Sequence, residues 1–66
     1  MSVAKTIEVI TSSSEGIEAA IRDGITKVSE TVSGIEGAWV KDTKVVVDKN
    51  KVTEWRVTLM VTFIVQ

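Results

Sequence analysis

The chain has 66 residues, with eight basic and nine acidic side chains, and it contains no cysteine and no histidine. Its net charge of −1 comes from interspersed charges rather than from a basic stripe, which argues against nucleic-acid binding. Disulfides, thiolate and imidazole metal ligands and the commonest acid–base catalyst are all excluded by this composition.

The small size predicts one domain, residues 1–66, that is stabilised by other copies of itself. A chain of this length buries only about 60% of its unfolded surface, and disulfides, metals or oligomerisation usually compensate. Because cysteine is absent, we expect oligomerisation. No apolar run reaches the 18 or so residues of a membrane span and no signal-peptide core follows the N-terminus, so we expect a cytoplasmic protein with no membrane partner.

The first predicted element is a strand from Val3 to Thr11, in which apolar and polar residues alternate imperfectly. Three serines, residues 12–14, follow it. Ser12 and Glu15 have the spacing of a capping box, and Ser13 is an alternative helix cap. A serine nucleophile would need an activating base, and without histidine we expect these serines to serve as caps.

A helix is predicted from Ser14 to Val32, because apolar residues recur at intervals of three and four. The apolar stripe comprises Ile17, Ala20, Ile21, Ile25, Val28 and Val32. Gly24 lies on this stripe, and since glycine costs about 1 kcal/mol relative to alanine inside a helix, its position predicts close contact with the sheet. Gly34 stands where a left-handed cap would end the helix.

The rest of the chain is predicted to form a β-hairpin, with strands at Ile35–Val47 and Lys51–Gln66. Residues 48–51 form the turn, in which Asn50 can adopt a positive φ. The pairs expected from symmetric closure are Trp39 with Met60, Val40 with Leu59, Thr43 with Arg56, and Lys44 with Trp55. A bulge would shift some of these pairs.

The hairpin strands place their side chains on two faces, and both faces are expected to be covered. The face expected to lie under the helix carries Ala38, Val40, Val57, Leu59, Val61 and Phe63. The opposite face carries Gly37, Trp39, Lys41, Thr43, Arg56, Thr58, Met60, Thr62 and Ile64. Because this opposite face is not very polar, we expect it to meet a neighbour. The order β-α-β-β predicts a small α+β fold.

Three segments of the chain resemble the dodecin family. They are TSSSEGIEAAI at Thr11–Ile21, ETV at Glu30–Val32 and, above all, KVTEWRVTLMVTF at Lys51–Phe63. The resemblance runs without gaps over almost the whole chain. It implies a three-stranded antiparallel sheet wrapped around one helix, assembled into a hollow homododecameric shell. It also implies paired flavins near two-fold axes, stacked on a Trp and hydrogen-bonded by a Gln, for storage and photoprotection rather than turnover.

This sequence departs from the family pattern at both flavin contacts. The stacking Trp aligns with Gly37, which has no aromatic plane, and the Gln aligns with Arg56, which donates hydrogen bonds but cannot accept them. Trp39 lies about 7 Å further along the strand on the same face and is the residue that can replace the platform. The cofactor-binding candidates are therefore Gly37, Trp39 and Arg56, for riboflavin, FMN or FAD. We expect riboflavin to bind weakly or not at all.

The same aromatic and arginine side chains also have ordinary structural interpretations. Trp39 suits a subunit interface, where Trp is enriched, and Trp55 suits a cover near the hairpin tip. Arg56 suits an interface salt bridge, a contact with an anionic ligand such as a phosphate, or a solvated position.

Acidic residues of the hairpin are the other candidates for a site. Asp42, Asp48 and Glu54 could supply oxygen ligands to calcium or magnesium. They alternate with lysines and lack the spacing of a metal-binding loop, so we predict exposed ion pairs and no metal site.

Two functions remain after these exclusions. The first is a shell that binds or stores a flavin or another planar or anionic molecule, and the second is a ligand-free structural homo-oligomer of the same fold. We do not expect an enzyme, because the chain has no histidine, no cysteine and no carboxylate pair at a catalytic spacing.

Overall fold

The computed structural model describes residues 2–65 and shows three strands and one helix in the order β-α-β-β. The elements are β1 (Val3–Ser13), α1 (Ile17–Val28), β2 (Ile35–Asp48) and β3 (Lys51–Val65). The predicted α+β class and element order are confirmed. Met1 and Gln66, the ends of the predicted domain and of the last predicted strand, lie outside the described residues.

The sheet has the strand order β1-β3-β2, so β3 is the central strand and pairs antiparallel with both neighbours. The pairing of β1 with β3 runs without a shift from Val3 opposite Val65 to Ser13 opposite Trp55. The helix packs against β1 and β3. The helix therefore covers one face of β1 and β3, and β2 lies outside the covered area.

The core lies between α1 and the middle of β3. Its buried residues are Ala20, Val57, Leu59 and Val61, and the partly buried Ile7, Val9, Ile21, Ile25 and Ile35 pack around them. Each large apolar side chain buried in this way contributes about 1.5–3 kcal/mol. The period-two pattern of β3 therefore identified its buried face correctly. On the helix, Ala20, Ile21 and Ile25 of the predicted stripe lie in or around the core, whereas Ile17 is 41% exposed, contrary to the prediction, because it lies at the first residue of the helix.

Gly24 makes the close approach that the sequence predicts. It is buried, and a Cβ atom at this position would lie 2.2 Å from Cγ2 of Thr11 on β1. Only a residue without a side chain fits at this separation. This contact sets the distance between the helix and β1, and it does not involve the hairpin strands.

The predicted helix start is wrong. The N-cap is Gly16, with φ 143° and no side-chain capping bond, and Ser12 belongs to β1. The Ser13 hydroxyl accepts a hydrogen bond from the backbone N–H of Glu15 at 3.0 Å, which closes a local turn before the helix. Gly16 then adopts a backbone conformation that favours glycine, so the chain enters the helix without a side-chain cap.

The predicted helix end is also wrong. The helix closes at Ser29, whose N–H bonds to the carbonyl of Ile25, and residues 30–31 turn away. Gly34 does have a positive φ, of 76°, but it precedes β2 instead of capping the helix. Its carbonyl accepts a bond from the N–H of Ile64 at 3.0 Å and so joins the start of β2 to β3.

The hairpin confirms the predicted turn. Lys49 and Asn50 have φ values of 51° and 66°, the left-handed pair of a two-residue type I′ turn. Trp39 lies opposite Met60 and Val40 opposite Leu59, as predicted.

Two other predicted pairs are wrong. Arg56 faces Lys44 instead of Thr43, and Trp55 faces Val45 instead of Lys44. The reason is a pair of compensating register shifts. Thr53 is the extra residue on β3 beside Val46 and Val47, and Lys41 is the extra residue on β2 between Val40 and Asp42. A third shift, at Glu36, lies near the start of β2.

The helix does not cover β2, contrary to the prediction for Ala38 and Val40. Both are exposed, and Val40 keeps 44% of its accessible surface. Along β2 only Ile35 and Val46 are partly buried. Within residues 2–65, no helix combines the length and apolar character that crossing a bilayer requires.

Candidate functional site on the open sheet face

The sheet face that points away from the helix, which we call the open face, carries all three predicted site residues. Gly37 lies opposite Thr62, Trp39 opposite Met60, and Arg56 opposite Lys44. The β3 members of these pairs are Arg56, Met60 and Thr62, which all have even numbers. The odd-numbered Val57, Leu59 and Val61 are buried under the helix. Because successive side chains of a strand alternate between faces, the even positions form the open face.

Trp39 offers a flat apolar surface with free space beside it. Its side chain is 54% exposed, and Met60 lies directly opposite on β3. At Gly37, two residues earlier, a Cβ atom would meet nothing within 4 Å. A planar ring therefore has both an aromatic partner and room at this end of the open face.

A salt bridge crosses the open face next to Trp39. Lys41 Nζ donates to Glu8 Oε1 at 3.1 Å. Since Lys41 belongs to β2 and Glu8 to β1, this Lys41–Glu8 bridge passes above the central strand. Its Glu8 end lies in the same row as Met60 and Trp39, and its Lys41 end lies on the side of Trp39 away from Gly37, in the direction of Arg56. Thr58 of β3, at the same level, is only 8% exposed.

Arg56 is paired within its own strand. Its Nε donates to Glu54 Oε1 at 3.2 Å, in a half-exposed pair whose contribution to stability is small. A hydrogen bond from Ser12 and then one from Arg56 lower the pKa of Glu54. The sequence suggested an interface, a ligand or solvent as the partner of Arg56, and Glu54 was not predicted. The i, i+2 spacing, which puts both side chains on one face of a strand, was the available signal.

One protomer brings Gly37 and Trp39 together but not Arg56. Gly37 and Trp39 are adjacent on the open face, whereas Arg56 lies four residues along β3 from Met60, about 13 Å away. Sequence reasoning also missed two hydroxyls beside the ring space, because the pairing of β1 with β3 was not predicted. Thr6 and Thr62 lie opposite each other with their Oγ1 atoms 3.2 Å apart.

Residues 2–65 also form a groove on the helix side of the sheet. An open, mainly apolar groove of about 640 Å³ runs along the helix and is lined by Ile17, Glu18, Ile21, Arg22, Ile25 and Thr26. In this part of the chain, no cluster of three or more acidic side chains is arranged to hold a metal ion.

Comparison with known proteins identifies the family. Residues 3–66 match the family model described as Dodecin. A variant of the dodecin from Thermus thermophilus has a similar structure, with a TM-score of 0.95 and 29% identity, over 100% of this chain and 98% of that chain. The dodecin from Streptomyces davaonensis gives a TM-score of 0.95 and 25% identity, over 98% of this chain and 96% of that one.

A third similar structure is described as a calcium-chelating antigen. It is the calcium dodecin of Mycobacterium tuberculosis, described as having a novel calcium-binding site. Its TM-score is 0.84 at 28% identity, over 97% of this chain and 91% of that one. Among curated protein sequences, none matches the chain. Since the family model spans nearly the whole sequence and the fold agrees, the chain belongs to the dodecin family.

Proposed function

We propose that this protein assembles into a homododecameric shell that holds a small planar molecule, a flavin or a related ring, without turning it over. The observation that carries the proposal is Trp39, which stands half-exposed beside the empty space at Gly37 in a chain of the dodecin family.

Apolar surface on β2 supports the assembly. Trp39, Val40, Val45 and Val47 are between 44% and 58% exposed. Trp39 pairs with Met60 on the open face, whereas Val40 pairs with the buried Leu59 on the other, so both faces of β2 carry exposed apolar side chains. Such surface on a small protein marks an interaction site. The small core of the protomer gives association a further energetic role.

Gly37 and Trp39 form the proposed ring site, and Arg56 is the proposed contact for an anionic group of the ligand. Stacking on Trp39 is worth about 0.5–1.5 kcal/mol beyond area burial. Because the charge of Arg56 is already balanced by Glu54, its contact with a ligand would be weaker than that of a free guanidinium. Binding of this kind requires a platform and polar contacts but no proton transfer or nucleophile, which suits storage.

A ligand-free structural homo-oligomer is the second candidate function. Trp39 is exposed on the open face, and Val40 and Val45 are exposed on the other face of β2. A neighbouring copy that covers the open face at Trp39 would bury the ring and close the space at Gly37. In that case the protein would function as an assembled shell that holds no ligand.

Native mass measurement and riboflavin titration test the proposal together. We expect a mass of about twelve times 7.2 kDa and weak quenching of riboflavin fluorescence by the assembled protein. An assembly of this mass that leaves riboflavin, FMN and FAD fluorescence unchanged would select the ligand-free function. A folded monomer at micromolar concentration would refute both.

A further inference from the structure

We infer that the ligand is a neutral planar heterocycle with adjacent carbonyl and N–H groups, and that Thr62 and Thr6, rather than Arg56, bind its polar edge. This inference rests on the proposed ligand-holding function and names the ligand class and the polar contacts of that site.

The two threonines lie in the row of residues next to Trp39. Thr62 has Gly37 opposite it on β2 and Thr6 opposite it on β1, and Met60 with Trp39 forms the adjacent row of the open face. The rows are about 7 Å apart along the strands. Since Gly37 has no side chain, a ring stacked on Trp39 and extending over Gly37 brings its edge towards the Thr62 and Thr6 hydroxyls.

The pair of threonine hydroxyls is complementary to a ligand edge that both donates and accepts hydrogen bonds. The Oγ1 atoms of Thr6 and Thr62 are 3.2 Å apart, so one hydroxyl donates to the other. The second O–H and the remaining lone pairs stay available. An imide or lactam presents the complementary C=O and N–H groups. A guanidinium cannot match such an edge, because it has no acceptor.

Charges near this row do not favour an anionic ligand. Glu8 accepts from Lys41 in the Lys41–Glu8 bridge, and the row of Thr6, Thr62 and Gly37 has no ionisable group. The acidic Glu36 is the extra residue of β2 beside Gly37, where it opposes an anion. Arg56 lies beyond the bridge, about 13 Å along β3 from Met60, and is paired with Glu54. The ring site therefore favours a neutral ligand, and a phosphate on the ligand adds no contact within this row.

Titration of the assembled protein with riboflavin and 3-methylriboflavin tests the inference, because the methyl group replaces the imide N–H. We expect methylation to weaken binding about twofold to tenfold, the effect of one hydrogen bond. Thr62→Val should weaken riboflavin binding by a similar factor, and methylation should then have no further effect. Trp39→Leu should weaken binding at least about tenfold, whereas Trp39→Phe should retain most of it.

Thr43→Val is the matched control. Thr43 is exposed on β2 but pairs with the buried Val57, which places it on the opposite sheet face, so this variant should bind as the parent does. Each variant is first checked for native mass and circular dichroism, which separates lost binding from lost folding.

Two results would overturn the inference while leaving ligand holding intact. One is an equal methylation penalty in the parent and in Thr62→Val. The other is riboflavin or FMN binding that falls with Arg56→Gln but not with Thr62→Val. An assembled protein that binds none of riboflavin, FMN and FAD would refute ligand holding and the inference with it.

Discussion

Gly24 shows how one absent methyl group sets the distance between the helix and the sheet. Gly24→Ala would raise helix propensity by about 1 kcal/mol, but the new Cβ would lie 2.2 Å from Cγ2 and 2.8 Å from Cβ of Thr11. We expect the clash to dominate and to destabilise the protein by about 1–3 kcal/mol in denaturant unfolding. Gly37→Ala is the control, because its Cβ meets nothing within 4 Å. An unchanged midpoint for Gly24→Ala would contradict the contact.

Glu54 gives the protein a specific dependence on pH. The hydrogen bonds from Ser12 and Arg56 lower its pKa below the 4.5 of an ordinary glutamate, so the folded protein favours the ionised carboxylate. This stabilisation is present above the unfolded-state pKa and is lost as pH falls through the lower folded-state pKa. We therefore expect the advantage of the parent over Glu54→Gln in melting temperature to be largest near pH 7 and to disappear on acidification. A difference that stays constant down to pH 3 would refute the pairing.

The resemblance implies that positions 37 and 56 correspond to the family's flavin contacts, and two substitutions there are expected to increase flavin binding. Gly37→Trp combined with Arg56→Gln supplies an aromatic plane and a neutral amide that both donates and accepts. The open space at Gly37 admits the larger side chain. We expect the double variant to bind riboflavin more tightly than either single variant or the parent, as measured by fluorescence titration. No gain would mean that Trp39 or a neighbouring copy closes the space.

At the scale of elements, the contact of α1 with β3 carries the stability of the protomer. Leu59 is 1% exposed and lies between Val57 and Val61 in the core. Leu59→Ala should destabilise the protein by about 2–5 kcal/mol, because the cavity cannot fully collapse. In the proposed assembly, folding and association are linked, so the loss can appear as dissociation in native mass measurements as well as in the melting temperature. An unchanged melting temperature would mean that the face assignment is inverted.

The elements that the sequence predicted well are those with a periodic signal. The alternation along β3 and the turn at Asn50 were sufficient for the central strand, the hairpin and two of its pairs. The ends of the helix were not predictable in the same way. The chain enters it through a glycine conformation at Gly16, and the expected serine caps bond elsewhere or belong to β1.

Only those features of the site that follow from the alternation of side chains along a strand could be predicted from the sequence. Gly37 and Trp39 fall on one face by period-two alternation, and the structure agrees. Lys41 reaches Glu8 on this face, as predicted, but the prediction of Thr43 on the same face is wrong, because the extra residue at Lys41 places Thr43 opposite the buried Val57. The position of Thr6 depends on the β1–β3 register. Neither the extra residue nor this register leaves a periodic trace in the sequence. The pairing of Arg56 with Glu54 followed from the same parity but competed with other charged partners.

At the scale of the molecule, the protomer is elongated, 52 × 19 × 14 Å, and its β2 strand lies outside the helix-covered core. Val40→Glu places a charge on the exposed apolar surface of β2, where the side chain keeps 44% of its accessible area. We expect this variant to lose oligomer mass, since a desolvated unpaired carboxylate opposes association. Thr31→Glu, an exposed position in the turn after the helix, is the control and should assemble normally. If the Val40→Glu variant assembles fully, β2 is not part of the interface.

The register shifts of β2 have a consequence for how this outer strand can pair with other chains. As an outer strand of 14 residues rich in valine, β2 would otherwise offer a continuous row of N–H and C=O groups to the next chain. The extra residues at two of its shifts, Glu36 and Lys41, are both charged, so each shift interrupts that row and adds a charge beside it. Edge-to-edge pairing along β2 is therefore disfavoured, which favours association of this strand through its side-chain surfaces, where contact can end in a closed particle.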